Sequence, residues 1–147
     1  MKEYFMKEAI KQAKKSGEDV PIGAVIVLDG KIIAKAYNKK EKTGCAINHA
    51  EILAIIKASK IIGDFRLSNC DIYVTKEPCL MCVGAILSAR IRKVYFGAYD
   101  KKYGAIKLCM ENNFNHKCEF EGGVLEEETG EILSNFFKKL RCSKRSN

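Results

Sequence analysis

Two short segments of this 147-residue chain, His49-Ala50-Glu51 and Pro78-Cys79-Leu80-Met81-Cys82, constrain its fold more than any other feature. They offer one imidazole, two thiols and one carboxylate, and a metal ion bound by both would hold two distant parts of the chain together. Structural zinc usually has four protein ligands, whereas catalytic zinc has three and keeps one position for water. Three ligands, His49, Cys79 and Cys82, with Glu51 to spare, therefore predict a hydrolytic metal centre.

The spacing of the two cysteines suits a shared metal ion. Residues three apart lie on one face of a helix, so Cys79 and Cys82 can bind the same ion. Pro78 is favourable in the first helical turn, which places both thiols near the positive end of the helix dipole, where thiolates are favoured. Two sulfur ligands and one nitrogen ligand favour zinc over magnesium or manganese. We therefore expect one zinc ion per chain, held where the N-termini of two helices converge.

Glu51 is predicted to move protons rather than to bind the metal. Residues two apart are separated by about 200° around a regular helix, so His49 and Glu51 cannot both be ligands on one helical face. Zinc lowers the pKa of a bound water to about 7. A carboxylate beside that water can accept its proton and pass it to a leaving amine, so Glu51 is the candidate catalytic residue.

Each part of this pattern has another interpretation. A lone C-x-x-C also occurs in half of a zinc knuckle or in a redox pair, and His49 and Glu51 alone could be a surface histidine and a favourable first-turn acid. The occurrence of H-x-E at a predicted helix start together with P-C-x-x-C favours catalytic zinc. His116, the second of two histidines, is expected beside the site or at the surface rather than as a ligand.

The length and composition indicate one globular domain without a disulfide framework. A chain of 147 residues can bury a proper core as a single domain, 1–147. Its seven cysteines are an odd number, which argues against paired disulfides. Its apolar runs are too short to cross a bilayer, and the N-terminal segment lacks the apolar stretch of a signal peptide, so we expect a cytoplasmic protein.

The net charge of +8 favours a polyanionic partner. Lysine and arginine gain affinity for nucleic acids by releasing phosphate counterions, and aromatic side chains stack on single-stranded bases. Basic residues follow an aromatic pair near the C-terminus, and the candidates for RNA binding are Phe137, Lys138, Lys139 and Arg141. Two other interpretations fit the charge almost as well: lysines that only keep the protein soluble, and a frayed basic tail over residues 142–147.

The hydrophobic pattern alternates between helical and strand spacing, which indicates a helix-flanked α/β sheet. Asp29-Gly30 between two apolar runs predicts a two-residue hairpin turn. The region 105–123 is the least readable, and one irregular strand is expected there at 118–121. The other strands are predicted at 22–28, 31–37, 71–75 and 92–96. The helices are predicted at 2–16, 48–60, 79–88 and 125–141.

The chain resembles the bacterial tRNA-specific adenosine deaminases over roughly residues 3–141. The H-x-E and P-C-x-x-C motifs match the signature of zinc nucleobase deaminases. Further similar segments are Asp19 to Val25, Tyr73 to Cys82, Gly84 to Ile86, Val94 to Asp100, Asn115-His116, Gly122 to Leu125 and Asn135 to Phe137.

The resemblance implies a cytidine-deaminase-like fold, a three-layer α/β/α sandwich around a mixed sheet of about five strands. It implies hydrolytic conversion of adenosine to inosine at the wobble position of a tRNA anticodon, by a homodimer with active sites near its interface. Carried over by position, His49, Cys79 and Cys82 bind zinc and Glu51 shuttles protons. By the same resemblance, Asn38 would contact the target nucleoside, and Val20 and Ile22 would wall the base pocket, although core packing would explain these two equally well.

Two departures from the family pattern stand out. Cys45-Ala46-Ile47-Asn48 replaces the usual D-P-T-x run before His49, and Lys76 stands where the family often has an apolar residue. Two rival functions remain open from the sequence. One is deamination of a free base or nucleoside of the guanine or cytosine type, and the other is a non-catalytic, zinc-stabilised RNA-binding subunit.

Overall fold

A computed structural model describes residues 1–112, 114 and 116–146, apart from the side chains of residues 145 and 146. Asn115 and Asn147, which the sequence analysis included, lie outside the described residues. The described chain forms six helices and five strands. The helices are α1 (Lys2–Ala13), α2 (Lys40–Thr43), α3 (Ala50–Ile62), α4 (Leu80–Ser88), α5 (Ile106–Glu111) and α6 (Glu126–Ser146). The strands are β1 (Gly23–Leu28), β2 (Lys31–Tyr37), β3 (Cys70–Lys76), β4 (Lys93–Ala98) and β5 (Glu119–Glu121).

The five strands form one mixed sheet in the order β2-β1-β3-β4-β5. The pairs β1–β2 and β1–β3 are antiparallel, whereas β3–β4 and β4–β5 are parallel. The hairpin between β1 and β2 turns at Asp29 and Gly30, whose φ angles of 51° and 76° are both positive, as a two-residue hairpin turn requires. Because β3 and β4 are parallel, their carboxyl ends lie side by side at one edge of the sheet.

Helices cover both faces of the sheet, which confirms the predicted three-layer α/β/α sandwich. On one face, Val25, Val27 and Tyr73 pack against apolar residues of α1 and, at the edge, of α6. On the other face, alternate residues of the same strands pack against α3, α4 and the start of α5. This alternation follows from the two-residue period of a strand, since both faces are buried.

Two sequence expectations differ from the structure. Helix α5 lies in the region 105–123, where only a strand at 118–121 was predicted, because so short a helix has no apolar period to reveal it and only Ile106 is buried. Helix α6 continues to Ser146, so residues 142–146 are helical rather than a frayed tail. The sequence from 142 to 146 contains neither glycine nor proline, so nothing in it ends the helix.

Gly23 allows α1 to approach the sheet closely, and its replacement tests this packing. A Cβ atom at Gly23 would collide with the backbone of Ala9 and Ala13 in α1. We expect Gly23→Ala to lower the free energy of unfolding by about 1–3 kcal/mol, as overpacking does. Gly130→Ala in α6 is the matched control, because no atom lies within 4 Å of its added Cβ. That variant should gain about 0.5–1 kcal/mol in a urea titration. Equal effects of the two substitutions would contradict the close approach.

Candidate active site

The two sequence motifs meet where helices α3 and α4 begin. His49 is the N-cap of α3 and Cys79 is the N-cap of α4, so two positive helix ends point at one place, as predicted. Pro78 precedes the N-cap and therefore lies just outside the first turn in which the sequence analysis placed it. Cys82 follows one turn into α4 and is buried.

The geometry of the three candidate ligands suits a tetrahedral metal ion. His49 Nδ1 lies 3.8 Å from Cys79 Sγ and 3.6 Å from Cys82 Sγ. All three ligand atoms lie within 4.8 Å of one another, and they form the only such group among the described residues. Zinc bonds of ordinary length at tetrahedral angles separate a nitrogen and a sulfur ligand by about 3.5 Å. The donor set and its spacing therefore fit zinc.

The electrostatics of the cysteine pair favour a cation. Hydrogen bonds with Cys82 and His49 lower the pKa of Cys79 to about 3, so one thiolate is present at neutral pH. The pKa of Cys82 is raised, because Cys82 shares its proton with Cys79 and is desolvated by burial. The pKa of His49 is raised mainly by its hydrogen bond with Cys79. A metal ion can take the place of the protons that these three groups share.

Glu51 is a buried carboxyl group with an unsatisfied oxygen. Glu51 is 4% exposed, and its Oε1 has no hydrogen-bond partner among the described residues. Burial raises the pKa of the Glu51 carboxyl, because desolvation disfavours the charged form. A buried polar atom without a partner costs free energy, so its presence points to a ligand or water that completes the site.

The metal site opens into a cavity of about 450 Å³. This volume lies within the range of pockets that hold small ligands. The cavity brings together the zinc ligand candidates His49 and Cys79 with Glu51 and with residues from four other segments. Its lining consists of Ile22, Lys40, His49, Glu51, Lys76, Glu77, Cys79, Asp100 and Tyr103.

Five of these lining residues were not singled out from the sequence as site residues: Lys40, Lys76, Glu77, Asp100 and Tyr103. Glu77 accepts hydrogen bonds from the backbone N–H groups of Asp100 at 3.1 Å and Ile106 at 3.3 Å. A signal for Glu77 and Asp100 was available, since each follows one of two neighbouring parallel strands. The carboxyl ends of such strands share an edge, where ligand sites are common in α/β sheets.

The three predicted substrate residues have different positions. Ile22 lines the cavity, whereas Val20 and Asn38 are not among the described residues that line it. The Asn38 amide is buried, where its Nδ2 donates to the Val20 carbonyl at 3.1 Å and its Oδ1 accepts from the Lys40 N–H at 3.3 Å. Asn38 therefore ties two segments of the cavity wall together. Its contact with a nucleoside stays a prediction.

The unusual run before His49 is held by hydrogen bonds instead of by a proline. Asn48 donates from Nδ2 to Thr43 Oγ1 at 2.8 Å, and its carbonyl accepts from the Lys39 N–H at 3.0 Å. The carboxylate of buried Asp19 accepts from the N–H groups of Glu41 and Lys42 and so fixes the start of α2. These contacts connect the run to α2 and fix the backbone that enters His49.

The predicted RNA-binding residues lie on α6, outside the cavity lining. Phe137, Lys138, Lys139 and Arg141 are all exposed. His116 is also separate from the cavity, and its Nε2 lies 2.8 Å from the Ile91 carbonyl oxygen. In the described part of the chain, no helix has the length and apolar character needed to span a membrane.

Comparisons with known proteins agree with this geometry. Residues 1–141 match the MafB19-like deaminase family. The chain is 50% identical to the tRNA-specific adenosine deaminase of Bacillus subtilis over 98% of this chain and 93% of that relative. It is 45% identical to the tRNA-specific adenosine deaminase of Aquifex aeolicus over 95% of this chain and 96% of that relative.

Two solved structures are also similar. One comes from work on A-to-I editing by tRNA:A34 deaminases at the wobble position of transfer RNA. It is 42% identical with a TM-score of 0.84 and covers 88% of this chain and 99% of that one. The other, guanine deaminase from Bacillus subtilis, is 33% identical with a TM-score of 0.66. It covers 80% of this chain and 82% of that one.

Replacement of either histidine tests the metal site. We expect His49→Ala to lower the zinc retained after dialysis from about one ion per chain to about a tenth of that, because a three-ligand site loses its nitrogen donor. His116→Ala is the matched control and should retain the metal. Elemental analysis of the purified proteins measures both. Zinc loss from His116→Ala alone would contradict the assignment.

Proposed function

The chain belongs to the tRNA-specific adenosine deaminase family of hydrolytic enzymes, and from this premise we propose that it converts adenosine to inosine at the wobble position of a tRNA anticodon. One observation carries the proposal: His49 and Cys79 of the three-residue metal-ligand group line one cavity together with Glu51, whose buried Oε1 has no hydrogen-bond partner among the described residues. We propose that His49, Cys79 and Cys82 hold one zinc ion per chain. Bound there, zinc would lower the pKa of a water molecule from 15.7 to about 7.

In this proposal Glu51 moves the protons of the reaction. It accepts a proton from the attacking water, whose oxygen forms a bond to C6 of adenine. It then donates a proton to the amino nitrogen, the C6–N bond breaks, and ammonia leaves. The products are inosine and ammonia, and no oxidant or reductant takes part. Support for this role comes from Glu51 lying in the cavity lining, where its Oε1 has no hydrogen-bond partner among the described residues and can receive a hydrogen bond.

The size of the cavity bears on the substrate. A volume of about 450 Å³ accommodates one nucleoside, so the rest of an RNA substrate must lie outside. Enzymes that act on a base in a nucleic acid flip it out of the stack into such a pocket. Exposed Phe137 and the basic residues of α6 offer stacking and phosphate contacts outside the cavity. We propose α6 as part of the RNA-binding surface.

A free base is the second candidate substrate, because guanine deaminase from Bacillus subtilis has the same fold at 33% identity. The tRNA-specific relatives are more similar and match nearly their full length. The deciding assay incubates the protein with total tRNA, maps inosine by nucleotide position, and measures ammonia release from free guanine in parallel. Inosine at position 34 supports the proposal, and ammonia from guanine without inosine overturns it.

Two further proposals accompany the function. We propose a homodimer, supported by large apolar side chains that are exposed on the helices beside the site, among them Ile56 at 44% and Leu80 at 64%. We also propose a cytoplasmic location, where tRNA is available. Sedimentation of the purified protein tests the first proposal, and cell fractionation tests the second.

The proton role of Glu51 is tested by Glu51→Gln. We expect kcat for inosine formation to fall by about 10²–10⁴, the usual contribution of a general acid–base group. Zinc content and the unfolding midpoint should stay close to the wild-type values, since the amide has the same size. Glu18→Gln, an exposed change in the segment between α1 and β1, should leave kcat unchanged. Activity that survives Glu51→Gln would refute the assigned role.

The α6 surface is tested by the double substitution Lys138→Ala and Lys139→Ala. If both lysines neutralise phosphates, the slope of log KM against log salt concentration should fall by about 1–2. KM should also rise, without loss of zinc. The double substitution Lys14→Ala and Lys15→Ala removes equal charge from the exposed end of α1 and serves as the control. Equal effects of the two double substitutions would mean that Lys138 and Lys139 contribute only to the overall positive charge of the protein and are not part of a binding surface.

A further inference from the structure

An ion pair crosses the wall of the cavity. Lys76 is the last residue of β3, and it is paired in register with Ala98, the last residue of β4. Asp100 follows β4 at the same edge of the sheet. Lys76 Nζ lies 2.8 Å from Asp100 Oδ2, and the two side chains are only 23% and 12% exposed. Both residues line the cavity.

The other oxygen of Asp100 shapes the loop that follows. Oδ1 accepts hydrogen bonds from the backbone N–H groups of Lys102 and Tyr103, each at 3.0 Å. An aspartate that binds the backbone two and three residues ahead fixes a turn. A single carboxylate therefore connects Lys76 to the turn that carries Tyr103, whose side chain lines the cavity.

The far end of this loop adjoins a metal-ligand candidate. Gly104 forms a β-bridge with Cys79, and the Ala105 N–H donates to the Pro78 carbonyl at 3.0 Å. Gly104 also donates from its N–H to the Asp100 carbonyl at 2.9 Å. The backbone thus holds the loop at residues 104 and 105. At the start of the loop, Glu77 accepts a hydrogen bond from the Asp100 N–H, and Lys76 contacts the Asp100 side chain.

We propose that Lys76 is a positioning residue. Through Asp100 it fixes the loop of residues 99–104, and this loop fixes the position of Tyr103 in the cavity lining. The inference deepens the proposed function and rests on it for its kinetic part. Because the pair is largely buried, removal of one charge leaves the other uncompensated in a poorly solvated place. Tyr103 is 62% exposed, and its ring is contacted by Lys102 of the same loop, whose Nζ lies 5.2 Å from the ring centroid, so the position of Tyr103 depends on the turn.

A direct role for Lys76 is the competing explanation, in which its ammonium group binds a substrate phosphate. Coupling between Lys76 and Asp100 separates the two cases. If Lys76 acts through Asp100, then Lys76→Met changes little once Asp100→Asn has removed the ion pair. If Lys76 binds phosphate, its replacement weakens binding equally in both backgrounds.

The test compares Lys76→Met, Lys76→Arg, Asp100→Asn and the double variant Lys76→Met with Asp100→Asn. Hydrogen exchange of the peptide covering 99–106 is the readout that does not depend on activity. We expect Lys76→Met to speed this exchange by about tenfold, because the turn opens locally more often. We also expect KM for an anticodon stem-loop RNA to rise by about 5- to 20-fold while kcat stays within about threefold and zinc is retained. Lys76→Arg should restore both to within about twofold.

The control is Lys31→Met, which removes an exposed charge at the start of β2, beside the hairpin turn. It should change neither the exchange of 99–106 nor KM. Unchanged exchange in Lys76→Met overturns the inference, and so do additive effects in the double variant or a failure of Lys76→Arg to restore. Absence of inosine formation by the wild-type protein refutes the proposed function instead, and the exchange data still decide the role of Lys76.

Discussion

The architecture depends on the convergence of two helix N-termini at His49 and Cys79. Each residue is the cap of its helix, so each side chain lies where backbone N–H groups point outward and favour negative charge. Cys82 adds the third donor from the first turn of α4. The sheet makes this meeting possible, because α3 and α4 pack on the same face of it. A metal ion bound there couples two otherwise separate segments, so metal binding and folding stabilise each other.

The buried position of Glu51 follows from how closely α3 approaches the sheet. Ala50, Ala54 and Ala58 form a face of small side chains that are fully buried, so the helix axis lies near the strands. A carboxyl group in the first turn is thereby removed from water, and one of its oxygens has no partner among the described residues. Such an arrangement costs stability, and in the proposed function a reacting molecule completes the missing hydrogen bond.

The local sequence pattern was sufficient to predict most helices and strands, but it did not identify every residue that lines the cavity. The Asp29-Gly30 turn, the start of α4 and the grouping of His49 with the two cysteines follow from spacing within short segments. The contacts of Lys76 and Asp100 depend on which strands are neighbours, so Lys76 was only an unexplained departure in the sequence. Asn38 shows the same limit, since its amide partners Val20 and Lys40 become visible only once the loops around β1 and β2 are placed. Helix α5 was missed because its short span carries no periodic signal.

Strand β4 connects the cavity with the surface proposed for RNA. Helix α6 packs on this strand at Gly97, where a Cβ atom would collide with Thr129 of α6, so the two backbones are close and their relative position is fixed. Three residues later the same strand leads into Asp100 and the loop that carries Tyr103. A nucleic acid held along α6 is therefore held in a defined register with the cavity. In the proposed function, discrimination between RNA and a free base depends on two elements acting together: a cavity that admits one nucleoside, and the proposed RNA-binding surface of α6 outside it.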